Sequence, residues 1–350
     1  MLIVDAHEDI AFNALAMQRD YTESVATTRS REGAQAENIA TLGLPELLAG
    51  GVGIVFGTLF VMPANGTVVP QSPVYRTAEE AHAQAQQQLD VYRRLAEHPQ
   101  IMLVQTRADL AGVLACWERA TPQLGIVVLM EGADPIRAPG EAAEWHADGV
   151  RLVGPAWAAG TRYCSGNDVP GPLSSDGRSL MREMSRARLA LDLSHMAEAS
   201  FWEALDLFDG TVIASHANCR ALVPGPHENR HLSNAMIKAL VERDGVIGVV
   251  LYNRFLDSSW TPKRGKDAVG LDLVVRHIDH ICQIAGDAHH VAIGSDFDGG
   301  FGSEAIPREL DTVADLPRLA DALRSHGFAE DDVAAVMGRN WLRKLEALLP

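Results

Sequence analysis

Short apolar runs alternate with longer helical patterns from one end of the chain to the other. The runs are Leu2–Val4, Gly53–Phe60, Gly125–Met130, Val150–Val153, Leu189–Leu193, Thr211–Ala214, Val246–Leu251 and Val291–Ile293. They are nearly unbroken in apolar character, as expected of parallel strands covered on both faces. Ile101–Val104 reads as a ninth, accessory strand. Between the runs, Ala78–Glu97, Ala197–Phe208, Asn234–Arg243, Leu271–Ile284 and Asp331–Leu349 carry helical spacing. In Leu271–Ile284, residues Leu273, Val274, His277 and Ile281 fall near one face. Eight strands alternating with helices predict an α/β fold, a closed (β/α)₈ TIM barrel rather than a doubly wound sheet. No internal repeat and no Pro/Ser linker divides the chain, so residues 1–350 are expected to form a single barrel domain.

Four of the predicted loops are long: Met62–Arg76, Gly154–Gly177, Ala217–Ser233 and Gly299–Val313. All four follow the C-terminal end of a strand, the rim where barrel enzymes place their sites. The strand ends carry the chemistry. The first leads into Asp5-Ala6-His7-Glu8-Asp9, where His7 and Asp9, two residues apart in extended chain, can point the same way. The third ends in Met130-Glu131-Gly132, the fifth in Asp192-Leu193-Ser194-His195 and the sixth in Ala214-Ser215-His216. The eighth ends in Gly294-Ser295-Asp296-Phe297-Asp298-Gly299.

Any one of these residues alone reads as a loop cap or a packing residue. Five strands of one barrel delivering His, Glu or Asp to one rim read as a metal site, because zinc accepts imidazole and carboxylate at open catalytic positions. So many ligands exceed the needs of one tetrahedral ion and suit two metals sharing a carboxylate. The remaining histidines do not share that placement. His82, His98, His146, His277, His280 and His326 lie in or beside helical sequence and are expected at the surface. His289 and His290 precede the eighth strand, at the opposite end of the barrel. His227 and His231, in a rim loop, are secondary candidates, and Tyr252, after the seventh strand, is a candidate pocket residue.

Composition narrows the alternatives. With 47% hydrophobic residues in 350, the chain can bury a large core without disulfides. The net charge of −16 and the scattered Lys and Arg exclude a phosphate-tracking stripe, so no nucleic-acid partner is expected. The four cysteines, Cys116, Cys164, Cys219 and Cys282, form no C-x-x-C pair and read as reduced thiols. Met1-Leu2-Ile3-Val4 runs straight into the first motif, leaving no room for a signal peptide. No stretch approaches the ~18 apolar residues of a membrane span. A cytoplasmic protein without a membrane partner is expected. There is no H-E-x-x-H, nucleophile elbow or Walker A loop. Gly50-Gly51-Val52-Gly53 does not complete a dinucleotide fingerprint.

Taken together, the motifs resemble those of the membrane (renal) dipeptidases, peptidase family M19. Asp5-Ala6-His7-Glu8-Asp9 is similar to the family's D-G-H-N-D, and Met130-Glu131-Gly132 to its E-G. Asp192-Leu193-Ser194-His195 and Ser215-His216-Ala217-Asn218 resemble D-x-S-H and S-H-S/A-N, and Gly294–Gly299 resembles G-x-D-F-D-G. Order and spacing agree through Asn340-Trp341-Leu342, so the resemblance covers essentially the whole chain.

The resemblance implies an amidohydrolase-type barrel with two Zn2+ ions and a metal-bridging hydroxide that hydrolyses short peptides, including those with a D-residue second. It implies that His7 and Asp9 bind one metal, His195 and His216 the other, and that Glu131 bridges them. Asp296 would be the proton-handling carboxylate, Arg230 the grip on the substrate carboxylate, and the assembly a homodimer. One departure stands out: where relatives of the renal enzyme carry a histidine in T-H-N, alignment places Trp157. Tryptophan donates one N–H but takes up no proton at neutral pH. Trp157 is thus either a tolerated wall of the pocket or the sign of another amide, N-acyl or lactone substrate for the same binuclear site. A non-catalytic binding barrel is a third reading, disfavoured because every ligand position is filled.

Overall fold

The computed structural model describes residues 1–35, 37–64, 73–225 and 228–350. Eight parallel strands form the barrel: β1 (Ile3–Glu8), β2 (Val52–Phe60), β3 (Leu124–Glu131), β4 (Val150–Gly154), β5 (Ala190–Asp192), β6 (Val212–Ile213), β7 (Ile247–Val249) and β8 (Val291–Ile293). Neighbours in sequence are neighbours in the sheet, and β8 returns to β1 through the pair Asp5–Ile293. The ring closes between β6 and β7, where Ala214 pairs with Ile247 and the Gly248 N–H donates to the Ala214 carbonyl at 2.8 Å. The expected (β/α)₈ barrel is therefore the fold. Ile101–Leu103 pairs with β3 outside the ring, as an accessory strand should. The short parallel pair Met62–Pro63 and Val74–Tyr75 flanks the loop after β2, whose residues 65–72 lie outside the described ones.

Each strand sends alternate residues inward, among them Val4 and Ala6, Ile54 and Phe56, Val127 and Leu129, and Ala292. All pack in one buried cluster with Trp341, Leu345 and Leu349. The C-terminal helix Asn340–Leu348 supplies this floor. Trp341 packs edge-on against Phe56 at 5.3 Å between ring centroids, and its indole N–H donates to the Ile293 carbonyl at 2.8 Å. The single helix expected over Asp331–Leu349 is interrupted by a wide π turn, Ala335–Arg339. There Gly338 passes the start of β1 so closely that a Cβ would lie 2.6 Å from the Leu2 carbonyl oxygen. The extra residue per turn lets the backbone clear β1.

A register shift in β1 matters for the site. Asp5 lies opposite Val55 and Glu8 opposite Gly57, so three residues of β1 span two of β2. This bulge resets the in–out alternation. Val4 and Ala6 face the interior below it, His7 faces the interior above it, and Asp5 and Glu8 both turn outward. The two outward carboxyls are fully buried, and Ser295 bridges them: its N–H donates to Asp5 at 2.8 Å and its hydroxyl to Glu8 at 3.4 Å. Burial pushes both carboxyls upward, Glu8 well above the usual range with Asp5 beside it.

His277 is not at the surface as expected. It sits on the inner face of helix Leu271–Ala285, is 1% exposed, and accepts the Cys219 N–H at Nδ1 over 3.1 Å. The i, i+4 spacing to Ile281 that put it near the apolar face outweighs the polarity of the ring. Burial lowers its pKa to about 3. Among the described residues, no helix is long and apolar enough to cross a membrane.

The buried imidazole makes the fold acid-sensitive. Between pH 6.5, the ordinary histidine value, and pH 3, only the unfolded chain binds a proton at this position. Stability is therefore unaffected above pH 6.5 and falls as pH drops below it. Between pH 7 and pH 5 the protein should lose about 2 kcal/mol more stability than a His277→Gln variant, at ~1.4 kcal/mol per pKa unit over ~1.5 units. Urea unfolding of both proteins at the two pH values measures the difference. Equal losses would contradict a neutral, buried His277.

Candidate metal and substrate site

The C-terminal rim gathers the residues that the strand ends promised. Asp9 lies just past β1 as the N-terminal cap residue of helix Ile10–Ala16, and Thr58 of β2 hydrogen-bonds its carboxylate. Glu131 ends β3. His195, Asp296 and Asp298 follow β5 and β8 with φ of 63°, 62° and 59°. Left-handed backbone is costly for side chains with a Cβ and is tolerated where surrounding contacts impose it. Here it accompanies the placement of His195 and Asp296 on the pocket and of Asp298 against Arg19 and Thr41.

Glu131 stands at the centre. Its Oε2 lies 3.4 Å from His7 Nε2, and its Oε1 lies 3.2 Å from His195 Nε2 and 3.4 Å from His216 Nε2. His7 Nε2 is also 4.0 Å from Asp9 and 3.9 Å from Asp296. Two ligand groups therefore share Glu131: His7 with Asp9, and His195 with His216. Within each, the candidate atoms lie within 4.8 Å of one another.

The surrounding hydrogen bonds orient the imidazoles. Asn167 Oδ1 is 2.9 Å from His195 Nδ1, while the Asn167 amide nitrogen donates to Asp168 at 2.8 Å, which settles which end of the amide faces the ring. Ser215 Oγ gives its proton to Asp192 and so accepts from His216 Nδ1 at 2.8 Å. Both rings thus carry their proton on Nδ1 and turn bare Nε2 atoms toward each other, 3.0 Å apart. Burial and the nearby Arg230 hold His195 neutral, with a pKa of about 4, and burial and His7 push His216 well down. Two lone pairs at that distance, beside a carboxylate oxygen, fit a divalent cation and repel each other without one.

The carboxylates make the same demand. Burial opposes a charge on His7, yet Glu131, Asp296 and Asp9 together lift its pKa to about 10. Burial also works against the charge on Glu131, but the neighbouring His7 holds it well below the usual range. Asp9 rises to about 6 through burial and the proximity of Glu131. Asp296 is pushed well up by burial, partly offset by His7 and raised further by Asp9 and Glu131. The donor set, three imidazoles and three carboxylates in a buried cup, suits zinc.

These residues floor a pocket of about 340 Å³ whose walls include Trp157, Tyr252 and Arg230. Arg230 is 6% exposed, and none of its three guanidinium nitrogens has a hydrogen-bond partner among the described residues. It stacks over the Phe255 ring at 5.3 Å. Tyr252 stacks on Phe301 at 4.3 Å. Trp157 leans on Phe60 at 5.1 Å and lies 6.4 Å from the His195 ring. His231 is buried against Phe255 rather than facing the ligands, and His227 lies outside the described residues.

Sequence reasoning assigned no role to Asn167, Asp192, Ser215 or Thr58. Asp192 accepts four hydrogen bonds, from the N–H and hydroxyl groups of Ser194 and Ser215, and so ties β5 to β6 beneath both histidines. The D-x-S-H and S-H motifs already contained that pairing. Nothing local in the sequence distinguishes Asn167. Loss of such a supporting hydrogen bond typically costs ~10–100-fold in metal affinity. Asn167→Ala should therefore weaken metal retention at least about tenfold, read by competition with a chromophoric chelator. Unchanged affinity would show that Asn167 does not orient His195.

Comparison with known proteins agrees with this geometry. The chain matches the family model for membrane dipeptidase (peptidase family M19) over residues 1–348. An uncharacterised protein in the pqqA 5′ region of Klebsiella pneumoniae is 34% identical over 271 residues, covering 74% of this chain and 94% of that one. The solved structure of dipeptidase AC, a metallopeptidase of family M19, is similar with a TM-score of 0.80 and 26% identity, over 100% of this chain and 99% of its own. A metallopeptidase from Rhodobacter sphaeroides, liganded with a phosphinate mimic of the dipeptide L-Ala-D-Ala, is similar with a TM-score of 0.80 and 25% identity, over 99% of both chains. With the family matched almost end to end and its five strand-end motifs gathered in one pocket, the chain belongs to the membrane dipeptidases, peptidase family M19, and is a metallo-dipeptidase.

Proposed function

We propose that the protein is a zinc dipeptidase that cleaves free dipeptides, including those with a D-residue in the second position. The observation that carries this reading is Arg230, a buried guanidinium without a hydrogen-bond partner among the described residues, in the same pocket as the imidazole–carboxylate cluster. A fork of N–H donors so placed lacks an anion, and a terminal carboxylate fits it bidentately. The carboxylate of a dipeptide held there brings its one peptide bond over Glu131. The Rhodobacter sphaeroides relative, solved with a mimic of L-Ala-D-Ala, supports tolerance of a D-residue.

His7 and Asp9 would hold one zinc, His195 and His216 the other, with Glu131 between them. Bound there, zinc would supply a water of lowered pKa and a Lewis acid for the scissile carbonyl. The remaining work falls to the protein. Asp296, 3.9 Å from His7 and pushed upward by burial, would take a proton from the attacking water and deliver it to the leaving amine. Arg230 sets the length of the substrate by anchoring its far end.

Zinc-loaded protein should release amine from L,L- and L,D-dipeptides, lose that activity on chelation and regain it with zinc. Silence on every dipeptide with metal bound, but turnover of N-acyl or lactone substrates, would replace this reading with the one that Trp157 raises. Arg230→Met removes the charge while keeping much of the bulk. It should lower kcat/KM for dipeptides about tenfold to a hundredfold, the loss of a charge-assisted contact, mostly as a rise in KM. An unchanged KM would remove Arg230 from carboxylate binding.

A further inference from the structure

The pocket has two aromatic walls, and the barrel places them on opposite sides of the metal-ligand cluster. One belongs to the end of β2 and its neighbours: Phe12 packs edge-on against Phe60 at 5.2 Å, Phe60 against Trp157 at 5.1 Å, and Met62 lies two residues beyond Phe60. Phe60 pairs with Glu131 in the β2–β3 register, so this wall starts beside the bridging carboxylate. The other wall comes from the segments after β7 and β8: Tyr252 packs against Phe255 at 5.0 Å and Phe301 at 4.3 Å, and Phe255 lies under Arg230. Arg230 follows β6, which stands four strands around the ring from β2.

This arrangement orients a dipeptide, given the dipeptidase reading above, on which the inference rests. With its carboxylate at Arg230 and its peptide bond over Glu131, its second residue lies against Tyr252 and Phe255. Its first residue extends toward Phe60. The side chains of that first wall bear no charge, and the one polar group among them is the Trp157 indole N–H. Phe60 and Met62 are already withdrawn from solvent, at 5% and 3% exposure, while Phe12 and Trp157 are half-buried and leave apolar surface open to the cavity. A large apolar side chain would cover that surface, whereas a charged one would be desolvated there without a partner. The exposed Asp168 and Arg254 stand at the pocket mouth.

We propose that the enzyme selects dipeptides whose first residue carries a large apolar side chain, seated on the wall of Phe12, Phe60, Met62 and Trp157. Trp157 then serves as a specificity surface where the family histidine would present a polar ring.

The test compares kcat/KM for a series X-Ala, with X as Gly, Leu, Phe, Asp and Lys, in both L,L and L,D forms, on the zinc-loaded wild-type enzyme and on Trp157→Ala. Leu-Ala and Phe-Ala should exceed Gly-Ala and Asp-Ala by about tenfold or more, the scale on which apolar pockets discriminate. In Trp157→Ala the Leu-to-Gly ratio should shrink to about threefold or less. Equal rates across the series, or an advantage for Asp-Ala or Lys-Ala, would overturn the inference and leave the dipeptidase reading standing. A ratio unchanged by Trp157→Ala would overturn the role of this wall. Absence of turnover on every member would overturn the dipeptidase reading itself, and the inference with it. Because the first comparison uses the wild type alone, a variant that fails to fold does not blunt it.

Discussion

Everything at the barrel mouth answers to a shortage of positive charge. Three carboxylates, buried Asp9 and Glu131 and partly buried Asp296, crowd together with three imidazoles, of which His195 and His216 are held neutral. In a low-dielectric cup, neighbouring carboxylates cannot all remain ionised unless cations share the space. One proton on His7 covers part of the shortfall, which is why that ring is lifted so far. Divalent ions cover it fully, and their entry must displace the proton. The site is built to be incomplete, and its affinity for metal is the other face of its electrostatic strain.

Holding such a cluster together falls to uncharged or remote groups. Asp192 ties β5 to β6 through the two serines, so the histidines that follow start from one rigid support. On the far side, Asp298 accepts from the Thr41 N–H at 2.8 Å and pairs with buried Arg19 at 2.8 Å, pinning the segment between β1 and β2 over the mouth. Arg19 extends the tie to Glu32. The second aspartate of the D-F-D sequence is therefore a strap for the loops, while the first lines the pocket beside His7.

Much of this was legible in advance because it depends on local pattern. Apolar runs of three to eight residues gave the eight strands, and the residues at the ends of five of them gave the candidate ligands, since a barrel brings all its strand ends to one rim. Less visible was whatever depends on contacts across the barrel. His277 reads as a surface residue until the Cys219 N–H is seen to meet it. Asn167 is one polar residue in a long loop until His195 arrives from another strand. The π turn at Ala335–Arg339 exists because Gly338 must clear β1, hundreds of residues earlier. Asp9 was expected in extended chain, whereas it caps a helix, and its convergence with His7 is achieved by the bulge rather than by simple alternation.

That bulge makes the site depend on a count as well as on chemistry. The three residues of β1 that span two of β2 decide which side chains look into the barrel. Pairing these residues one for one with β2, without the bulge, would leave every candidate ligand present in the chain, yet turn Glu8 toward the mouth and His7 out among the helices. Insertions in the rim loops have no such leverage, since loops absorb added length and strands do not. Among related chains that keep five residues from the first aspartate to the second, the bulge should therefore be held more strictly than the residue types inside it.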